Sequence, residues 1–308
     1  MSRKESNHPP CTHHSDGVLV RLDWQYHDLA HASDEAILEI VEAYPRTAEL
    51  YDLLLNDKRT RALWDMTAYV TIGKFGYNDH GQVHAQVVAA NALRMAKILT
   101  RHSIVLDVER SGAGNRDDTM LVLLAAATLH DIGNQIHRKG HEAYGVTLAA
   151  PILERLLQQI YSDDSKRQTM TSFILSAIAT HDLNPLPVTM EAAIVAVADG
   201  TDMTEGRGRA VFELGKVDSH SLSALAVEEV VIEEGETTPL NIITLIDNPA
   251  GIFQVENILA PKVMASYLAE YVTLRACSLS EDSPFGQCVI WRNGQFEEES
   301  PREKKAPR

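Results

Sequence analysis

The 308-residue chain is 44% hydrophobic, has a formal net charge of -15 and contains three cysteines. This length and apolar content suffice for one large domain and a smaller one. The negative charge repels phosphate backbones and argues against nucleic-acid binding, although a local basic or metal-bearing cleft can still take an anionic substrate. Cys11, Cys277 and Cys288 are far apart and form no C-x-x-C pair, so neither a disulfide framework nor a thiolate zinc site is predicted.

Targeting signals are absent from the sequence. No apolar run approaches the roughly 20 residues that a membrane span needs. Residues 1–17 are rich in Ser, Asn, Pro and His and lack the apolar segment of a secretion signal, so they are predicted to be a flexible tail. The sequence therefore predicts a cytoplasmic protein with no membrane partner.

The first half of the chain predicts helices and no strands. Apolar spacing indicates a helix from Ser33 to Ala43, which ends before Pro45 because proline cannot continue it. Two further helices are predicted for residues 47–55 and 59–71.

His84 lies on the core-facing stripe of the next predicted helix. The stripe continues at helical spacing with Val88, Ala92, Met95 and Leu99. An unpaired imidazole is costly there, so His84 is either a hydrogen-bonded core residue or a ligand. His80, one turn earlier, either supports His84 or competes with it for the role of ligand.

The pair His130-Asp131 ends a segment, residues 121–129, in which only Thr128 is polar. This segment predicts a helix that is buried on all sides and carries two ionisable groups into the interior. Burying such groups unpaired costs on the order of several kcal/mol, so partners are expected.

Further imidazoles and carboxylates recur at the ends or apolar faces of the following helices. His137 and His141 lie in the polar turn after Asp131, His181 ends a helix predicted for residues 168–180, and Asp199 lies on a helix predicted for residues 189–203. Helical bundles build metal sites in this way, from inward-pointing groups on facing helices.

The order of these groups resembles the signature of the HD superfamily of metal-dependent phosphohydrolases. The resemblance covers residues 75–205 and includes the words LHDIG, HEAYGVTLAAPIL and AAIVAVADG. It implies a mainly α fold, an HD-type helical bundle over residues 18–210. It also implies two metal ions that share Asp131, one held by His84, His130, Asp131 and Asp199 and the other by Asp131, His141 and His181.

The implied ligand set of nitrogen and oxygen atoms suits Fe, Mn, Co, Ni or Zn better than Mg or Ca. Two such ions about 3.5–4 Å apart can share a hydroxide and stabilise the attacking and leaving oxygens of a displacement at phosphorus. Asp131 is then the predicted catalytic residue. The expected substrate is a small anionic phosphate mono- or diester of the nucleotide kind.

The sequence differs from the HD-GYP branch of the family at three places, and these differences narrow the expected activity. Asn134 replaces a lysine of that branch, and Asp182 replaces a second histidine. The GYP triplet is absent, so cyclic dinucleotide cleavage is not implied. Asp182 is a ligand, an acceptor for His181 or a solvent-facing residue. The HEAYG context favours His141 over His137 as the ligand, and His137 is predicted to contact substrate.

Basic residues near the predicted mouth of the site are Arg138, Lys139, Arg207 and Arg209. A guanidinium in the loop of residues 204–209 can clamp a phosphate through two hydrogen bonds. Arg207 is the predicted substrate-binding residue, and a solvated loop is the competing interpretation.

The composition changes after residue 216 to that of a small α+β domain, predicted for residues 217–296. Strands are predicted for residues 225–233, 240–246 and 271–276, with a helix before the last, in β-β-α-β order with a core of its own. A further strand includes residues 289–291, and residues 297–308 are predicted to be a disordered tail. This domain is expected to serve homo-oligomerisation or regulation.

Two other functions remain open from the sequence. One is a regulatory module whose HD pocket binds an anion without turnover and signals through the C-terminal domain. The other is a di-iron oxygenase with a similar ligand set.

Overall fold

A computed structural model describes residues 11–14, 18–22, 24–204, 207, 219–280, 287–292 and 294–298. Helices form most of the chain up to residue 204, and strands dominate after residue 226. The predicted fold class is confirmed, a mainly α domain followed by a small α+β domain. Among the residues that the structure describes, no helix is long and apolar enough to cross a membrane.

Five of the nine helices that the structure describes in the first domain begin at a proline or after a residue whose side chain accepts from a free backbone N–H group. Pro45 opens the second helix, and the side chains of Asp57, Asn115, Asp163 and Thr189 cap others. The bounds are α1 Trp24–Val41, α2 Pro45–Asn56, α3 Lys58–Gly73, α4 Gln82–Arg101, α5 Asp107–Arg110, α6 Arg116–Leu129, α7 His141–Ile160, α8 Asp164–Thr180 and α9 Met190–Thr201.

Helix α6 is the centre of this domain. Its residues from 118 to 129 are all buried, and it packs against α2, α4, α8 and α9. The predicted helix buried on all sides is therefore confirmed. The apolar stripe of α4 that includes His84 is fully buried as well. Together these helices deliver their polar ends to one interior position.

The turn after Asp131 requires the glycine of LHDIG. A single-turn 3-10 helix, Ile132–Gln135, packs directly on the start of α7. A Cβ at Gly133 would overlap the carbonyl oxygen of His141. Glycine therefore allows the close approach that places Asp131 beside His141.

The second domain is a sheet of five strands, β3 Val227–Glu234, β4 Leu240–Ile246, β5 Val272–Ser278, β6 Cys288–Arg292 and β7 Gln295–Glu298, which are neighbours in that order. Strands β4 and β5 are parallel, and the other neighbours are antiparallel. The parallel pair is joined by a helical connection, residues 249–264, called here the crossover helix. The predicted β-β-α-β order is confirmed.

Several expectations about the termini and the cysteines were wrong. Strand β1, Cys11–His14, pairs with β2, Leu19–Leu22, within what was predicted to be a tail and a strand-free half. Strand β7 likewise extends into the predicted C-terminal tail. Cys277 and Cys288 face each other on β5 and β6 and form a disulfide with an S–S distance of 2.09 Å. Cross-strand pairing of this kind is invisible in sequence spacing. Residues 1–10 and 299–308 lie outside the described residues.

The C-terminal domain does not have the separate core that was predicted. One cluster of buried apolar residues runs from α1 through the helical domain into the sheet. The crossover helix packs against α9, and β3 and β4 contact α4. The boundary predicted between residues 210 and 217 also lies outside the described residues. The two domains therefore share one apolar core, and this packing lets the C-terminal domain contribute to the site described below.

We expect Asp57→Ala to destabilise the fold. Asp57 caps α3 by accepting from the Thr60 amide at 3.0 Å, and it pairs with both terminal nitrogens of Arg155 on α7 at 3.0 and 2.8 Å. Loss of the cap and the ion pair should lower the free energy of unfolding by about 1–2 kcal/mol in denaturant titration at neutral pH. Glu49→Ala, at an exposed position of α2, should change it little.

The effect of Asp57→Ala should depend on pH. Burial raises the pKa of Asp57, but hydrogen bonds from Arg155 and Thr60 outweigh it and lower that pKa below its ordinary value. The ionised carboxylate thus contributes stability that is complete above about pH 4 and is lost as pH falls through the lowered pKa. A difference between the variant and the wild type that grows with acidification would contradict this.

Candidate metal centre

The structure brings all six predicted metal ligands together in two groups that share one residue. The first group is His84, His130, Asp131 and Asp199, and the second is Asp131, His141 and His181. Within each group the potential ligand atoms lie within 4.8 Å of one another. Each of these residues except Asp199 is buried, and the Asp199 side chain is 17% exposed.

Asp131 directs its two carboxylate oxygens to two different pairs of histidines. Oδ2 lies 3.2 Å from Nε2 of both His84 and His130. Oδ1 lies 3.3 Å from Nε2 of His141 and 3.6 Å from Nε2 of His181. Each ligand group would therefore have one oxygen of this carboxylate among its ligand atoms.

The four histidines are held through Nδ1. His130, His141 and His181 each donate from Nδ1 to a backbone carbonyl three residues earlier, and His84 donates to a carboxylate. The acceptors are Ala127 O at 2.8 Å, Arg138 O at 3.0 Å, Ile178 O at 2.8 Å and Asp202 Oδ2 at 2.7 Å. We infer from these partners that each ring has a proton on Nδ1 and that Nε2 is the nitrogen that faces the centre.

The Nε2 atoms face each other closely. The distance is 3.1 Å between His84 and His130 and 3.0 Å between His141 and His181. Two lone pairs at such distances repel unless positive charge lies beside them. Imidazole nitrogens and carboxylate oxygens in this arrangement fit a divalent metal ion.

Asp202 is a functional residue that sequence reasoning missed. It is 1% exposed, and its Oδ2 accepts from His84 Nδ1 and from the Tyr26 hydroxyl at 2.9 Å. A carboxylate behind a ligating histidine fixes the ring and makes its other nitrogen a better donor. The available sequence signal was its position three residues after Asp199 at the end of an apolar helix.

Lys262 is a second missed residue, and it comes from the crossover helix. Its Nζ lies 2.5 Å from Asp199 Oδ2 and 3.2 Å from the His181 carbonyl oxygen. Gly200 permits this approach, because an added Cβ would lie 3.0 Å from Lys262 Cδ and 3.3 Å from Leu259 Cδ1. The C-terminal domain therefore contacts residues of both candidate ligand groups.

The electrostatics of the centre favour ionised carboxylates. Burial raises the pKa of Asp199, but the Lys262 ammonium and the neighbouring histidines hold it well below its usual range. The pKa of Asp131 is likewise well below its usual range, because His130 and His80 outweigh the effect of burial. The carboxylates around His84 outweigh its burial and the Arg207 charge, and raise its pKa to about 10. The cluster is thus a place where positive charge is stabilised.

A cavity of about 420 Å³ opens onto Asp131 and Asp199. One wall is helical-domain residues and the other is the crossover helix with Gln254, Asn257 and Lys262. His80 also lines it, with Nδ1 donating to Asn78 O and Nε2 4.0 Å from Asp131 Oδ2. His80 is outside both ligand groups.

The two predicted substrate-binding residues have different positions. Arg207 lines the cavity, but it is buried, donates from Nε to Asp79 O at 3.0 Å and pairs with Asp202 Oδ2 at 3.5 Å. These contacts indicate that it supports the partner of His84. His137 is exposed, packs edge-on against Phe75 and is not among the residues that line the cavity, so its position does not support a substrate contact. Arg209 lies outside the described residues.

Comparisons with known proteins agree with this geometry. A family model described as "HD domain" matches residues 84–204. An uncharacterized protein of Methanocaldococcus jannaschii, MJ1020, is 38% identical over 241 residues, which are 78% of this chain and 93% of the relative. The chain belongs to the HD superfamily. The HD match begins at one predicted ligand, His84, and extends beyond another, Asp199. No solved structure matches the chain.

Asp131→Ala should remove metal from both groups at once, because each group depends on one oxygen of this carboxylate. Metal per folded protein, measured by plasma mass spectrometry on purified protein, should fall to near zero. His181→Ala is the matched comparison and should remove only the ion of the second group. Wild-type metal content in folded Asp131→Ala would show that this residue is structural.

Asp202→Asn should weaken metal binding without removing a ligand. The amide keeps the shape of the carboxylate but supports the Nδ1–H of His84 less strongly, so the first ion should bind on the order of tenfold more weakly in calorimetric titration. Asp28→Asn, at an exposed position of α1, should leave the affinity unchanged.

Proposed function

We propose that the protein is a metal-dependent phosphohydrolase that cleaves a small phosphate mono- or diester of the nucleotide kind. The observation that supports this most directly is the carboxylate of Asp131, placed between two histidine pairs at the floor of a cavity. Membership of the HD superfamily supports the same class of reaction.

The residues of the centre have defined roles in this proposal. His84, His130, Asp131 and Asp199 would hold one divalent ion, and His141 and His181 would hold a second ion with Asp131. Bound ions supply an activated water and a Lewis acid for displacement at phosphorus. The fixed Nδ1 hydrogen bonds keep the four Nε2 atoms aimed at the centre, so the protein is arranged before substrate binds.

The cavity suits a small anionic substrate. Its volume is within the roughly 300–1,000 Å³ typical of small-molecule sites. Arg138 and Lys262 bring positive charge to its lining, although the whole chain has a net charge of -15. Local cations of this kind attract a phosphate group, whereas the negative surface disfavours a nucleic-acid partner.

The proposal is tested by activity with defined metal content. Protein stripped with a chelator and reloaded with Mn²⁺, Co²⁺, Fe²⁺ or Zn²⁺ is assayed with an aryl phosphate monoester, an aryl phosphate diester and a panel of nucleotides. We expect phosphate release with at least one metal and substrate, and its loss in His84→Ala. Fully metallated, folded protein that turns over none of these compounds would contradict hydrolase activity.

A regulatory role is the second candidate, and the contact of Lys262 with Asp199 supports it. This contact links the metal centre to the C-terminal domain, so an anion at the centre could change the packing of the crossover helix. Tight binding of a nucleotide without turnover, together with altered hydrogen exchange in residues 249–264, would favour this role. Oxygen consumption by iron-loaded protein would instead indicate an oxygenase. Cytoplasmic location and homo-oligomerisation remain predictions.

A further inference from the structure

Arg138 contacts His141, a candidate ligand of the second metal group. The backbone oxygen of Arg138 accepts from His141 Nδ1 at 3.0 Å, while its Nη1 donates to His141 Nε2, also at 3.0 Å. One residue therefore holds both nitrogens of the imidazole. Nε2 of His141 is also the atom that would bind the second ion.

Other contacts keep the guanidinium in this position. Nη1 donates to Asn134 Oδ1 at 3.3 Å, and Nη2 lies 3.7 Å from Asp182 Oδ2. Nη1 is also 3.9 Å from Asp131 Oδ1, the oxygen that faces the second group. Asp182, whose role the sequence left open, thus pairs with Arg138.

The first group has a different arrangement. Its cation is Lys262, which contacts Asp199 Oδ2 and leaves Oδ1 directed at His84 Nε2 at 3.2 Å. Lys262 therefore contacts the oxygen of Asp199 that does not face His84. Arg138, in contrast, contacts His141 Nε2, which is itself a candidate ligand atom.

We propose that Arg138 competes with the second metal ion for His141 and makes the two metal groups unequal in affinity. This inference rests on the metal centre required by the proposed function. The first ion would bind with Lys262 on the outer oxygen of Asp199, whereas the second would have to displace a guanidinium from His141 Nε2 and from the neighbourhood of Asp131 Oδ1. The Arg138 side chain is 35% exposed and lines the cavity, so a displaced guanidinium has access to the space that a phosphate would occupy.

The test measures metal affinity in the full-length protein. Chelator-treated wild type, Arg138→Met and Lys139→Met are titrated with Co²⁺, and binding is followed by calorimetry and by the visible absorption of the bound ion. Lys139 is exposed and adjacent, so the control removes the same charge without a contact to His141. Circular dichroism confirms that each variant is folded.

We expect wild type to bind the first ion at least about tenfold more tightly than the second. Arg138→Met should tighten the second ion by on the order of tenfold and leave the first unchanged. Asp182→Asn, which loosens the guanidinium, should give a smaller change in the same direction, and Lys139→Met should give none.

Two results would overturn the inference without contradicting the proposed function. One is equal affinity for both ions in the wild type, and the other is an affinity for the second ion that Arg138→Met leaves unchanged. A shift of the same size in Lys139→Met would also overturn it, since net charge alone would then explain the effect. Protein that binds no ion in any variant would instead refute the metal centre itself.

Discussion

The carboxylate of Asp131 is the group on which both halves of the metal centre depend. It is 5% exposed and lies among four imidazoles, a costly position for a charge that has no positive partner. Asn134 fixes its orientation by donating to Oδ1 at 2.7 Å, and the Gly133 turn brings it to α7. Helix α6 therefore carries this carboxylate into the interior, and the other helices are packed so that their histidines meet it.

The contact between Lys262 and Asp199 makes the C-terminal domain part of the centre. A lysine that is 7% exposed requires a partner, and Asp199 provides it. The charge pair in turn requires the crossover helix to pack on α9, which Gly200 permits. The shared apolar interior of the two domains follows from the same contact surface. An appended module with its own core would not have this constraint.

Much of the centre could be predicted because its ligands lie within recognisable local patterns. His84 lies on a helical stripe, His130 and Asp131 end a buried apolar segment, and Asp199 ends another. Asp202 and Lys262 could not be assigned in this way. Asp202 acts across the bundle on His84, 118 residues away, and Lys262 acts from a segment that reads as an ordinary amphipathic helix. Their roles arise from packing between distant elements, which periodicity does not encode.

The sequence by itself determined the fold class and the buried helix α6, because these depend on helical period and burial, and its resemblance to the HD superfamily implied the six candidate ligands in order. The tertiary structure decided how those ligands divide between the two oxygens of Asp131 and preferred His141 to His137. It also placed Arg207, the predicted phosphate clamp, against Asp202, and a lysine of the second domain beside Asp199. These outcomes depend on distances of a few ångströms between elements far apart in the chain, which only the packed chain defines.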